Sequence, residues 1–227
     1  MTREFEPFSF SEKGSLISSQ YPDPVTLKET YRSISQQDQF GILRLLITEG
    51  IPFVYKSNPL AYEVIRSFLA ERFHIHPKEI VLVGSARVGY SLSKLKWGNP
   101  FSDKSDLDFA IVSEFLFKAI LRDFYKWIND IEKRRKIPIN KKDLENWLEN
   151  IDIISNSVKR GFVQTNLLPY DDNYPTTKKI SSTIWLLKKK FSETKNMPNV
   201  PRSSVRIYAN WKSFLSQLHS NFTIATK

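Results

Sequence analysis

Cysteine is absent from this chain of 227 residues, which excludes disulfides and thiolate metal sites. Histidine is scarce. His74 and His76 alternate along one segment and His219 is the only other; zinc centres draw on three or four protein ligands, so the pair reads as polar residues at the entry to a strand. No stretch approaches the roughly 18 consecutive apolar residues of a membrane span. Met1 to Phe10, with Glu4 and Glu6, also lacks the apolar core of a leader. The expectation is a soluble, cytoplasmic protein with no membrane partner. Internal repeats and low-complexity tracts are missing as well.

What is present is a globular composition with an excess of positive charge. Hydrophobic residues make up 41% of the chain, and 34 Lys and Arg face 24 Asp and Glu, leaving a net charge of +10. That balance favours polyanionic partners such as nucleoside triphosphates, oligonucleotides or RNA, without choosing among them.

The stretch from Ile80 to Ser113 carries the chemistry. Ile80 to Val83 is a β-branched apolar run that stops at Gly84-Ser85, the pattern of a buried strand ending at the rim of a sheet. Ser85 reads as the cap of a helix whose first N–H groups, on Ala86 and Arg87, are free donors at its positive end. Gly84 lets an anion approach the backbone there without meeting a Cβ. Asp106 and Asp108 then occupy alternate positions of a second apolar strand, so their carboxylates project from one face about 6–7 Å apart. Such a pair suits hard divalent ions. Either feature alone is commonly a turn or a cap; their order along the chain puts a phosphate cradle and a metal clamp on neighbouring strands.

Val83-Gly84-Ser85 followed by Ser105-Asp106-Leu107-Asp108-Phe109 resembles the paired motifs of the nucleotidyltransferase superfamily typified by DNA polymerase β. The resemblance implies an α+β fold, a mixed sheet packed on helices with a helical C-terminal part. It implies a nucleoside triphosphate bound through Gly84 and Ser85, with Arg87 adding charge near the leaving pyrophosphate. It also implies two Mg2+ (or Mn2+) ions on Asp106, Asp108 and a third acid. Asp152, flanked by isoleucines in Ile151 to Ser155, is the candidate for that acid if the segment is a strand. The other strand candidate, Gly161 to Leu168, contains none. In several relatives a lysine on a helix after the sheet holds the triphosphate, and Lys178 or Lys179 resembles it. Stand-alone relatives of this size act in prokaryotic defence or toxin systems, making oligonucleotides, tailing RNA or nucleotidylating proteins. A catalytically inactive module that binds nucleic acid is the alternative.

The expected organisation is an N-terminal arm over 1–22, a core over 23–175 with a helical insertion at 115–150, and a C-terminal helical part over 176–227. Asp23-Pro24 and Asn58-Pro59 are helix starts. Trp97 to Phe101 forms a turn flanked by aromatics, placed either to pack over the helix after Ser85 or to stack on a base. Phe117, Ile120, Leu121, Phe124, Trp127 and Ile128 recur at helical spacing, and the helix closes on Lys133-Arg134-Arg135-Lys136, a solvated terminus or a contact for a nucleic-acid backbone. Asn140 caps a further helix. Ile180, Ile184, Leu187 and Phe191 mark another. A linker over Asn196 to Ser204 and a last helix containing Val205, Tyr208, Leu215 and Leu218 complete the chain.

Overall fold

The computed structural model describes residues 11–195, 197–198 and 202–227. Four strands, β1 (Ile80–Val83), β2 (Leu107–Val112), β3 (Phe162–Gln164) and β4 (Ser203–Tyr208), form one mixed sheet in the order β1-β2-β4-β3. β1 runs antiparallel to β2, β2 parallel to β4, and β4 antiparallel to β3. Around it lie α1 (Glu12–Ser15), α2 (Pro24–Tyr31), α3 (Gln36–Leu43), α4 (Pro59–Phe73), the single turn α5 (Ser85–Val88), α6 (Glu114–Glu132), α7 (Lys141–Lys159), α8 (Pro175–Glu193) and α9 (Trp211–Thr226). The expected α+β class and mixed sheet are therefore present. No helix among the described residues is long and apolar enough to cross a membrane.

Strand alternation sorts the sheet into two apolar faces. Ile80, Leu82, Leu107, Phe109, Ile111, Val205 and Ile207 point to one core, which α4, α6 and α8 close with Leu69, Phe124, Trp127, Ile180 and Leu187. Val81, Ala110, Val112, Phe162 and Tyr208 point to a second, closed by α2, α3 and α9 through Leu27, Tyr31, Ile42, Leu43, Phe214 and Phe222. Each fully buried Leu, Ile or Phe contributes about 1.5–3 kcal/mol to holding these layers together. β2 is thus covered on both sides, and Asp108 near its start and Asp106 just before it fall at the one end where the layers open.

Helix starts follow local chemistry. Asp23 accepts the Val25 and Thr26 N–H groups ahead of α2, with Pro24 in the first turn. Asn58, Asn140 and Asn210 cap α4, α7 and α9 in the same way. α8 has no cap from its own chain segment. Asp123 on α6 supplies it instead, accepting the Thr177 N–H at 2.7 Å and the Thr177 hydroxyl at 3.1 Å. Burial nonetheless raises the Asp123 pKa.

Two expectations about elements are corrected. Ile151 to Ser155 is not a strand but the middle of α7. Leu144, Trp147, Leu148, Ile151, Ile154 and Val158 continue one apolar helical stripe with no Gly or Pro until Gly161, and Ile154 is buried. Ser203 to Tyr208, assigned above partly to a linker and partly to a helix, is the strand β4. There Val205 and Ile207 alternate with exposed Arg206 at the two-residue period of a strand. The C-terminal part therefore contributes a central strand to the core and is not purely helical. Of the two segments that expectation left unstructured, residues 1–10, Asn196 and 199–201 lie outside the described residues.

The basic run after α6 is partly spent within the fold. Arg135 and Lys126 both bind Asp130 at 2.9 Å, and Lys136 pairs with Asp171. Hydrogen bonds from Lys126 and Lys136 hold the Asp130 and Asp171 pKa values below the usual carboxylate range, Asp171 at about 2. A depressed folded-state pKa stabilises the fold above the unfolded value near 3.9 and stops doing so as pH falls through the folded value. Denaturant unfolding should therefore show Asp171→Asn less stable than the wild type at neutral pH. The gap should close between about pH 4 and pH 2; a gap independent of pH would contradict the assignment.

Candidate functional site

The antiparallel pairing of β1 with β2 places Val83 opposite Asp108. The turn that follows β1 consequently folds against the carboxylate. Gly84 has φ 69° and ψ −151°, a combination essentially confined to glycine. A Cβ there would stand 3.6 Å from Asp108 Oδ2. Gly84, not Ser85, takes the cap position, and Ser85 is the first residue of α5. Gly84, Ser85 and Asp108 line one cavity of about 430 Å3, whose far wall is α9 through Phe214, Leu218, Asn221 and Phe222.

Asp106 and Asp108 open together into a second cavity of about 450 Å3, with Asn166, Ile184, Trp185, Lys188, Arg202, Ser203 and Ser204. Ser204 lines both cavities, and so does Asp108. Its Oδ1 accepts a 2.6 Å hydrogen bond from the Ser204 hydroxyl, because the parallel register of β2 and β4 sets Ser204 directly beside it. Asp106 Oδ1 is shielded from solvent and accepts no hydrogen bond, and the Ser203 hydroxyl is likewise unpaired. Arg202 Nε stands 3.5 Å from that same Asp106 oxygen, close enough for an ion pair but outside hydrogen-bond geometry. With Arg202 largely exposed, the pair contributes little.

Four of the expected site residues therefore meet: Gly84, Ser85, Asp106 and Asp108. The other four do not. Asp152 lies on an exposed face of α7, where its carboxylate accepts from Asn156 at 3.3 Å, and it lines neither cavity. Arg87 is buried, 1% exposed. Its Nε donates to the Leu46 carbonyl at 2.6 Å and its Nη2 to the Glu49 carbonyl, so the guanidinium caps the end of the α3 segment and points away from the carboxylates. Burial lowers its pKa from the ordinary value. Lys178 pairs with Asp172, and Lys179 lies 3.1 Å from His74 Nε2. The lysine that α8 presents to the aspartate cavity is Lys188, between two and three turns further along. Trp97 donates its indole N–H to the Pro24 carbonyl at 2.9 Å and meets Phe222 edge-on, which accounts for it as packing between α2 and α9.

No family model, curated protein or solved structure matches the chain.

Chemically, two carboxylates, one carrying a solvent-shielded oxygen with no hydrogen bond, fit a hard divalent cation. Mg2+ binds with one or two carboxylates when substrate phosphates and water complete its octahedron. Among the described residues no group of three His, Cys, Asp or Glu side chains could hold a metal, and β4 sets Ser204, not an acid, beside Asp108. The donor set therefore suits an ion that arrives with a phosphate ligand better than one held by the protein alone. Ser204, Arg202 and Lys188 were missed in the sequence because β4 and the face of α8 that meets it are tertiary facts. Only the Val-Arg-Ile-Tyr alternation at 205–208 signalled the strand.

Proposed function

We propose that this protein is a metal-dependent nucleotidyltransferase with a polymerase β-like arrangement, transferring a nucleoside monophosphate from an NTP or dNTP to a hydroxyl acceptor. The observation that carries the reading is the joint opening of Gly84, Ser85 and Asp108 into one cavity and of Asp106 and Asp108 into the next. In the reaction the acceptor oxygen forms a bond to the α-phosphorus. The bond from that phosphorus to the bridging oxygen breaks, pyrophosphate leaves with the electron pair, and the acceptor's proton passes to solvent. Mg2+ or Mn2+ on Asp106 and Asp108, when bound, supplies the charge that makes the acceptor hydroxyl more acidic and offsets the charge on the leaving group.

The chain's own residues do the positioning. The Gly84-Ser85 turn leaves room for phosphate oxygens next to Asp108, the Ser204 hydrogen bond fixes the Asp108 rotamer, and Lys188 and Arg202 place positive charge on the rim of the aspartate cavity. A second reading, a nucleic-acid-binding module without catalysis, is favoured by the absence of a third acid beside the pair among the described residues and by the Asp106–Arg202 pair. Pure protein incubated with Mg2+ or Mn2+ and each labelled NTP or dNTP, with and without RNA, separates the two. Pyrophosphate and a labelled product are expected. No turnover under any condition, together with salt-sensitive RNA binding, would favour the module.

A further inference from the structure

The face of α8 that borders the aspartates is unusual in what it exposes. Trp185 is 65% exposed, although a tryptophan in water forgoes a large burial energy. It lies at the junction of three cavities: the aspartate cavity, one of about 720 Å3 shared with Arg72 and Tyr170, and one of about 500 Å3 shared with Lys188 and Lys189. Helical spacing puts Ser181 and Ser182 one turn before the indole and Lys188 and Lys189 one turn after it. Lys189 Nζ stands 5.9 Å from the indole ring centre. Tyr170, 64% exposed, is tethered to this surface by a 3.2 Å contact with the Ser182 hydroxyl. The only acid on α8 is Glu193 in its last turn, which meets Lys189 at 4.0 Å as an exposed pair that contributes little. Two exposed rings set among cations, running up to a carboxylate pair, fit a flexible polyanion that carries flat apolar groups.

We propose that this face binds single-stranded nucleic acid, with a base stacked on Trp185, the backbone phosphates drawn by Lys188, Lys189 and Arg202, and the strand's terminal hydroxyl directed into the aspartate cavity. This deepens the nucleotidyl-transfer reading, on which it rests, by making the acceptor a strand end. Exposed aromatic side chains give stacking surfaces to unpaired bases of any sequence, and lysines supply the salt-dependent part of the affinity. A duplex cannot use Trp185, since its bases are already stacked on one another.

The test is fluorescence anisotropy with a labelled oligouridine and an oligothymidine of about twelve nucleotides, a length within the range that one such surface spans. It is run without metal or triphosphate in the Asp108→Asn background, so the result does not depend on turnover. Trp185→Ala should weaken binding about 5- to 100-fold, Trp185→Phe should restore most of it, and a Lys188→Ala/Lys189→Ala variant should flatten the salt dependence. Unchanged binding in Trp185→Ala, or equal affinity for a duplex of the same length, would overturn the proposal. So would unchanged strand binding alongside weakened binding of free NTP, read in a separate titration with labelled NTP, which would give the indole to the incoming nucleotide instead. Strand binding that depends on Trp185 in a protein that never releases pyrophosphate would support this surface while removing the transfer reading. Pyrophosphate release with no strand binding would do the reverse.

Discussion

Asp108→Asn is expected to reduce pyrophosphate release from a nucleoside triphosphate by 100-fold or more, on the order of what removing one preorganised charge-stabilising group costs an enzyme, with little change in thermal stability. The substitution keeps the shape of the side chain and leaves a carbonyl oxygen to accept the 2.6 Å bond from Ser204. It removes the charge that a divalent ion requires. Stability should hold because the substitution removes a negative charge beside Asp106, which opens into the same cavity, and nearby like charges repel. Asp106→Ala should lose activity to a similar degree, since its solvent-shielded oxygen accepts no hydrogen bond and meets the exposed Arg202 at 3.5 Å, which leaves it open to a cation. The measurement is pyrophosphate release over time, alongside circular dichroism melting. Turnover that survives in the Asp106→Ala/Asp108→Ala double variant would remove the carboxylate pair from the mechanism.

Arg87→Ala should fail in the opposite manner, through the fold. The guanidinium holds the Leu46 and Glu49 carbonyls where the helical segment begun by α3 ends, and the side chain is buried. An orphaned buried acceptor costs about 1–3 kcal/mol, so the loss of both bonds should destabilise the protein by roughly 3 kcal/mol. For a chain of this size that is a fall of about 6–12 °C in melting temperature. Arg87→Lys should recover only part of this, because an ammonium cannot reproduce the forked geometry. Since Arg87 stands two residues after Ser85, the same anchor sets the position of the Gly84-Ser85 turn. An Arg87→Ala protein that melts like the wild type but shows a raised KM for triphosphate would return the residue to the substrate.

Much of the architecture was legible where local chemistry decides. Asp23-Pro24, Asn58-Pro59 and Asn140 start helices because a side-chain oxygen satisfies N–H groups that no preceding turn can. The Ile80 run ends at Gly84 because the next backbone conformation requires glycine. Asp106, just before β2, and Asp108, within it, stand two residues apart, the spacing that turns side chains to one face of a strand, and both open into one cavity. Where the period of the apolar pattern was ambiguous over a few residues, the assignment failed. Ile151 to Ser155 looks β-branched and strand-like in isolation, but it belongs to a stripe that begins at Leu144. The Ser203 to Tyr208 segment carries an alternation of only four residues, 205–208, too short to mark a strand before the parallel pairing with β2 is known.

By itself the sequence determined the local conformations around the turn and the aspartates, because these depend on φ, ψ and side-chain parity over a few residues. Tertiary structure alone decided the company those residues keep: Ser204 beside Asp108, Lys188 and Trp185 across the cavity, and Arg87 turned away to cap a distant helix. Those placements depend on which strand pairs with β2 and in what register. That choice is made by the summed burial of two apolar cores over the whole chain, and no short stretch carries it.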